Sequence, residues 1–298
     1  MHARPRAKVN LSLAVGPRGR DGYHPLWSVF LRVGLSDELT VAFGNNDGAD
    51  VLTVSGLPGC VADGNLVLSA FNAVRRVFGQ DLPPLVAHLD KRIPVGGGLG
   101  GGSADAAAAV DCALQMWGVG LSREMLDQVA MELGADVPFF ARNLDAALVS
   151  GRGEKLEPLK INTNPGLLLV TPQIGMSTTV VFKKFDQLRV TPRYRRPQMP
   201  DFAHLAEQSA SLRDANDLWP AVAELAPELG SIRGELEKLS DKPWLMSGSG
   251  STMFAIYGSG SEAVSSGQSI LASESDVLGG AIFNAVDLYG PDPLWRYP

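Results

Sequence analysis

Residues Pro94 to Ala104 read Pro-Val-Gly-Gly-Gly-Leu-Gly-Gly-Gly-Ser-Ala, six glycines around one leucine. Without Cβ atoms, successive peptides can turn their N–H groups toward one point, and a concave run of amides binds anions. An alanine-rich run from Ser103 to Met116 follows directly. A helix starting there adds the partial positive charge of its N-terminus. The chemistry on offer is the cradling of a polyphosphate. A flexible linker is the bland alternative, but linkers do not normally run straight into a helix with serine in its first turn. The Walker A ending is missing, because Ser103 and Ala104 follow Gly102 with no lysine. Gly96, Gly98 and Gly101 fit a dinucleotide pattern literally, yet so many glycines fit almost any such template. The nearest acidic residue, Asp111, falls within the predicted helix and not on a following strand.

Other candidates are less distinctive. Asp136 stands between Gly134-Ala135 and Val137-Pro138, a place suited to a turn or capping residue, and equally to a rigidly held base. Lys8, Asn10 and Ser12 alternate with Val9, Leu11, Leu13 and Val15. That is the period of a half-buried strand, with the three polar side chains on one face. Lys8 alone would read as an exposed strand lysine. Tyr23 and His24 follow an Asp21-Gly22 turn, and Phe182 sits beside Val180 and Val181. Taken singly, these rings read as packing. Asn65 opens a helix, and a second glycine-serine run spans Ser247 to Ser251.

The elements that must position these residues follow from periodicity. Strands are expected at 8–15, Leu39–Phe43, Val86–Leu89, Leu167–Thr171, Met253–Tyr257 and Ala281–Val286. Helices are expected at Asn65–Phe78, Ser103–Met116 and Ser122–Leu133, with Ser122 as N-cap. Further helices are expected near Thr178–Phe185, from Asp217, from Ile232 and within Gly258–Ser275. The mixture implies an α+β chain. At 298 residues, two domains are expected, 1–158 and 159–298, with the boundary near Glu157-Pro158.

Apolar residues make up 45% and charged residues 19% of the chain, which suits a packed globular protein. A net charge of −6 argues against a nucleic-acid partner. Lys183, Lys184, Arg189, Arg193, Arg195 and Arg196 gather locally and read best as a solvated loop. Cys60 and Cys112 lack metal-ligand spacing and read as two buried thiols in a reducing compartment. Lys8, Asn10 and Ser12 interrupt any signal-peptide pattern, and no apolar stretch is long enough to cross a bilayer. A soluble, cytoplasmic protein with no membrane partner is expected, as a monomer or homodimer.

Three motifs in order carry a resemblance. Ala7-Lys8-Val9-Asn10-Leu11, the glycine tract and Ser247-Gly-Ser-Gly-Ser251 resemble those of the GHMP kinases, which include galactokinase, homoserine kinase, mevalonate kinase and phosphomevalonate kinase. Asp21-Gly-Tyr-His24, the paired Gly-Gly-Gly around Leu99, Gly134-Ala-Asp-Val-Pro-Phe-Phe140 and Met246-Ser-Gly-Ser-Gly-Ser251 resemble one branch of that superfamily. That branch serves the non-mevalonate isoprenoid pathway and phosphorylates the 2-hydroxyl of a methylerythritol carrying a cytidine diphosphate group. The resemblance spans nearly the whole chain. It implies an N-terminal domain like the second domain of ribosomal protein S5 and a ferredoxin-like C-terminal domain.

It also implies roles. Asp136 accepts the proton of the substrate hydroxyl, and Lys8 keeps it ionised and steadies developing charge. ATP is held by Asn65 and by Pro94, Val95, Gly96, Gly97, Gly98, Leu99, Gly100, Gly101, Gly102, Ser103 and Ala104. Asn10, Tyr23, His24 and Phe182 bind the substrate, with the cytosine between the Tyr23 and Phe182 rings and its edge read by His24. Mg²⁺ arrives with ATP, and no protein ligand is assigned. Arg6, Trp27, Ser28 and the 193–200 insert depart from the branch. None touches a motif residue, so they are expected to alter only the substrate rim and not the reaction. Another GHMP kinase of homoserine or mevalonate type, or a non-catalytic ATP-binding module, is the alternative. An oxidoreductase using the same tract is a distant third.

Overall fold

The computed structural model describes all residues except 46–47, 58–60, 80–81, 189–193, 291 and 298. In chain order the strands are β1 His2–Ala3, β2 Arg6–Val15, β3 Leu26–Ser36, β4 Glu38–Phe43, β5 Val51–Gly56, β6 Leu85–Lys91, β7 Ala146–Gly151, β8 Lys155–Pro158, β9 Gly166–Thr171, β10 Leu245–Met246, β11 Met253–Tyr257, β12 Ile282–Val286 and β13 Trp295–Tyr297. The helices are α1 Leu66–Phe78, α2 Gly101–Trp117, α3 Arg123–Leu133, α4 Val137–Ala141, α5 Thr178–Gln187, α6 Leu205–Leu212, α7 Trp219–Leu225, α8 Pro227–Ser240 and α9 Gly260–Ala272. Two compact units result, and neither is continuous in sequence. One gathers Met1–Ala7, Ser36–Val95 and Gly100–Leu144. The other gathers Lys8–Leu35, Gly96–Leu99 and Asp145–Pro298.

In the first unit, β1-β4-β6-β5 form a four-stranded sheet, with β5 and β6 parallel and the other pairs antiparallel. Leu39, Val41, Leu85, Ala87 and Leu89 face a core shared with Phe71 and Val74 of α1 and Ala109, Val110 and Ala113 of α2. The alanine row of α2 leaves no bulk between backbones, so α1 and α4 pack against it closely. Asn65 caps α1 by accepting from Val67 N–H at 3.0 Å, and Ser122 caps α3 by accepting from Met125 N–H at 3.3 Å. The α2 helix begins at Gly101, two residues before the start expected from propensity. Gly101, Gly102 and Ser103 therefore form its first turn.

A buried charged cluster lies under that turn. The Lys91 ammonium donates to Asp37 at 2.5 Å and to Asp105 of α2 at 2.7 Å. Asp37 also accepts from the Ile93 N–H at 2.8 Å. A methyl group at Gly101 would sit 3.3 Å from the Lys91 Nζ. Burial alone would lower the Lys91 ammonium, but the Asp105 and Asp37 charges outweigh it and hold the group above its ordinary range. Burial pushes Asp105 up to about 8, with Asp37 adding to the rise and Lys91 opposing it. Between the unfolded value of about 3.9 and that raised value, the native chain keeps a proton that the unfolded chain has released. This group's contribution to stability therefore falls as pH rises through the window. Asp105→Asn mimics the protonated form. The loss in melting temperature from about pH 5 to about pH 8 should be smaller in that variant than in the native chain. Thermal unfolding at both pH values measures it, and an equal loss would refute the assignment.

In the second unit, β2-β3-β7-β8 form one sheet, and β10-β11-β9-β12-β13 form an antiparallel five-stranded sheet. One face of the larger sheet, with Leu168, Val170, Met253, Ala255, Phe283 and Ala285, packs into a core with Leu218, Val222, Leu229, Leu236 and Trp244. Leu13 and Val15 of β2 join this core. The expected half-buried character of β2 is corrected, because Lys8, Asn10 and Ser12 are also buried, at 3%, 4% and 6% exposure. Lys8 and Asn10 on that face meet protein groups instead of water, Lys8 at Gly98 O and Asn10 at Lys8 and Ser28.

Cys112 is buried, and burial followed by the Asp111 charge pushes its thiol up to about 11. Cys60 lies outside the described residues, as do Arg189 and Arg193 of the basic stretch.

Candidate active site

The glycine tract is built as an amide cradle. Gly96, Gly98 and Gly100 have φ of +72°, +75° and +70°, alternating in hand with Gly97 and Leu99 between them. Alternating hands curl a chain so that successive N–H groups converge. Three consecutive carbonyls are held from the protein side. Gly97 O accepts from Thr252 N–H at 3.2 Å, and Leu99 O accepts from Lys8 N–H at 2.9 Å. Gly98 O accepts from Ser247 Oγ at 2.9 Å and from Lys8 Nζ at 3.2 Å. In a trans peptide the C=O and the next N–H point in opposite directions. The amides of Gly98, Leu99 and Gly100 consequently face away from these anchors.

Lys8 and Asn10 are adjacent on β2 as their alternation predicts. Lys8 Nζ donates to Asn10 Oδ1 at 2.6 Å and lies 4.7 Å from the Phe30 ring centre. Ser247 Oγ accepts from the Asn10 backbone N–H at 3.2 Å. The structure thus brings Lys8, Asn10, Gly97–Leu99 and the second glycine-serine run into one hydrogen-bonded cluster.

In the first unit, Ser103 lies in the opening turn of α2. A methyl group at Gly134 would come within 3.9 Å of Ser103 Oγ, so the turn leading to Asp136 lies beside that serine. Asp136 occupies the N-cap position of α4, but its side chain makes no capping hydrogen bond. The plain capping explanation for this aspartate is thereby removed. Asn65 does cap its helix.

The aromatic candidates form another group in the second unit. His24 Nδ1 lies 2.8 Å from Gly16 O, and Nε2 lies 3.1 Å from Asp186 Oδ1. The second contact is a close approach that does not form a hydrogen bond. The His24 ring centre is 5.4 Å from that of Phe182. Tyr23 is 60% exposed, with the Arg152 guanidinium 4.4 Å from its ring centre.

Residues 65–143 match the GHMP kinases N terminal domain, and residues 195–269 match the GHMP kinases C terminal domain. The 4-diphosphocytidyl-2-C-methyl-D-erythritol kinase of Desulfotalea psychrophila is 37% identical over 261 residues, covering 86% of this chain and 85% of that one. The protein of the same name from Thermobifida fusca is 38% identical over 300 residues, covering 96% and 94%. The chain belongs to the 4-diphosphocytidyl-2-C-methyl-D-erythritol kinase family. A crystal structure of 4-(cytidine 5'-diphospho)-2C-methyl-D-erythritol kinase is similar with a TM-score of 0.74 at 31% identity, covering 96% of this chain and 99% of that one. The α+β, two-domain GHMP kinase fold expected from the motifs is the fold of this chain. As a GHMP kinase it is an ATP-dependent phosphotransferase acting on an alcohol.

Two residues of this family member escaped sequence reasoning. Ser28, counted among the departures of the rim, touches a motif residue after all. It accepts from Asn10 Nδ2 at 2.8 Å and donates to Ser12 O at 2.5 Å, fixing the orientation of the Asn10 amide. Asn216 donates to Met246 O at 2.9 Å and Gly248 O at 2.8 Å, pinning the turn that presents Ser247. Its own Oδ1 accepts from Leu218 N–H at 3.0 Å, and Asp217 beside it accepts from Val15 N–H at 2.9 Å. An Asn-Asp pair ahead of a helix was the available signal, and it reads as an ordinary cap.

Proposed function

We infer that the chain transfers the γ-phosphoryl group of ATP to the 2-hydroxyl of 4-diphosphocytidyl-2-C-methyl-D-erythritol, in the non-mevalonate route to isoprenoid precursors. The observation that carries the reading is the alternating-hand glycine run with three carbonyls tied back, which aims amides at an anion. Phosphoryl transfer needs positioning and charge stabilisation more than covalent participation. Amides from Gly96 to Gly102 and the first turn of α2, with Ser103 and Ala104, hold the phosphates. Pro94, Val95, Leu99 and Asn65 complete the ATP set. Asp136 orients the acceptor hydroxyl and takes its proton, and Lys8 steadies developing charge. Asn10 binds the acceptor, and Tyr23, His24 and Phe182 receive its cytosine ring, where stacking is worth about 1–3 kcal/mol per base.

Among the described residues no group of three or more acidic, histidine or cysteine side chains could hold a metal. Mg²⁺ enters with ATP, held on its phosphates and water, where it neutralises phosphate charge. A division of the chain into 1–158 and 159–298 belongs to the same reading for the two matched ranges, which fall on either side of it, while the compact units interleave 8–35 and 96–99 with the C-terminal part. No helix among the described residues is long and apolar enough to cross a membrane. Cytoplasmic placement, and action on a small molecule as a monomer or homodimer without nucleic acid, complete the proposal.

The test is ADP release with the purified chain, ATP and three acceptors: the cytidine diphosphate alcohol, homoserine and mevalonate. The first is expected to exceed the others in kcat/KM by at least about a hundredfold, because a site built to bond a polar base rejects molecules lacking it. Comparable rates on homoserine or mevalonate would overturn the substrate assignment. NAD⁺ binding as tight as ATP binding would reopen the oxidoreductase reading.

A further inference from the structure

We propose that Asp186 is a positioning residue that clamps helix α5 to the 16–24 segment and so sets the slot for the acceptor's planar base. The proposal rests on the base-slot reading above. His24 and Phe182 are 158 residues apart in sequence, and nothing covalent fixes their spacing. Asp186 lies one helical turn beyond Phe182, so the two project from neighbouring positions on α5.

Two side chains of the 16–24 segment, an imidazole and a guanidinium, converge on the Asp186 carboxylate. His24 Nε2 is 3.1 Å from Oδ1, and Arg18 Nη1 is 3.7 Å from Oδ2. Arg18 is itself held, its Nε donating to Gly22 O at 2.9 Å. The His24 side chain is only 7% exposed. Beyond Asp186, its ring meets Gly16 O through Nδ1, and the Phe182 and Phe185 rings at 5.4 Å and 6.0 Å between centres. The segment is rigid on its own account: Gly16 N–H donates to Pro25 O and Gly19 N–H to Tyr23 O, both at 2.7 Å. Asp21 accepts from Tyr23 N–H at 3.1 Å and pairs with Arg152. The other end of α5 is tied through Thr178 Oγ1 to Ser249 Oγ at 2.9 Å. Asp186 therefore joins two stiff bodies, one carrying Tyr23 and His24, the other carrying Phe182. His24 is the buried part of this tie, while the Arg18 and Asp186 side chains are 61% and 35% exposed, so the expected effect is modest.

The test is Asp186→Asn, which keeps size and shape and removes the charge. Cytidine diphosphate binding by calorimetry and steady-state kinetics are read together. We expect Kd for cytidine diphosphate and KM for the acceptor to rise about fivefold, with KM for ATP unchanged. A purely structural role would shift KM for both substrates together, and that result overturns the proposal. Unchanged cytidine diphosphate binding in Asp186→Asn also overturns it. Tyr23→Ala and Phe182→Ala separate the two readings. If neither weakens cytidine diphosphate binding, the base slot itself is wrong. If they weaken it and Asp186→Asn does not, only the clamp fails.

Discussion

Asp136→Asn is expected to lower kcat by about 10²–10⁴ while leaving the affinity for a non-hydrolysable ATP analogue unchanged. The amide preserves the shape of the side chain and removes its capacity to accept the hydroxyl proton. Because phosphoryl transfer has a loose transition state, part of the loss reflects misorientation of the hydroxyl and part the missing acceptor. The geometry separates this aspartate from an ordinary cap, for it stands at the N-cap of α4 without making the capping bond. Turnover under saturating substrates, paired with an analogue titration, reads the two effects independently. Full activity in the variant, or loss of analogue binding together with turnover, would remove Asp136 from the role of base. A chain that bound ATP and never turned over in its native form would instead be the non-catalytic module.

The second large effect is expected from Gly98→Ala. The φ of +75° costs an alanine about 1–2 kcal/mol by itself. The heavier penalty is steric. A Cβ at Gly98 would lie 2.1 Å from Ser247 O and 3.2 Å from Gly250 O. Both obstacles are backbone, and Asn216 pins the Ser247 turn, so the tract has to move. Displacing the amides by about an ångström is expected to cost roughly a hundredfold in kcat/KM for ATP. Gly120→Ala is the matched control, since a methyl group there meets nothing within 4 Å. It should leave the kinetics near those of the native chain. A Gly98→Ala protein with native ATP kinetics would show that the cradle does not hold the phosphates.

Asn216 and Ser28 share a physical character that explains why they were hard to see. Each acts by holding another group's carbonyl or amide, and neither carries a motif of its own. Ser28 in particular looked like a change at a rim, yet it fixes the amide of Asn10. A side chain that acts on backbone leaves no spacing pattern, since its partner can be any residue type. His24 illustrates the opposite problem. Its residue type announced chemistry, but Gly16 and Asp186 approach its two ring nitrogens, a fact that only coordinates could supply.

From the order of residues alone came the glycine tract, the helices at α1, α2 and α3 with Ser122 capping α3, and the two glycine-serine segments belonging to one kinase class. These are local features: periodicity, turn chemistry and capping depend on neighbours a few positions away. Tertiary structure decided what lies behind them. It buried both faces of β2, set Lys91 between Asp37 and Asp105 under the first turn of α2, and brought Ser247 to Gly98 across 149 residues. It also made a buried strand of β3, whose Leu-Trp-Ser-Val-Phe-Leu-Arg run hides the alternation that betrays a strand with one wet face. A polar residue in a strand has the same local signature whether it meets water or buried backbone. Which it meets depends on chain segments far away in sequence, and those meet it only once the core has closed.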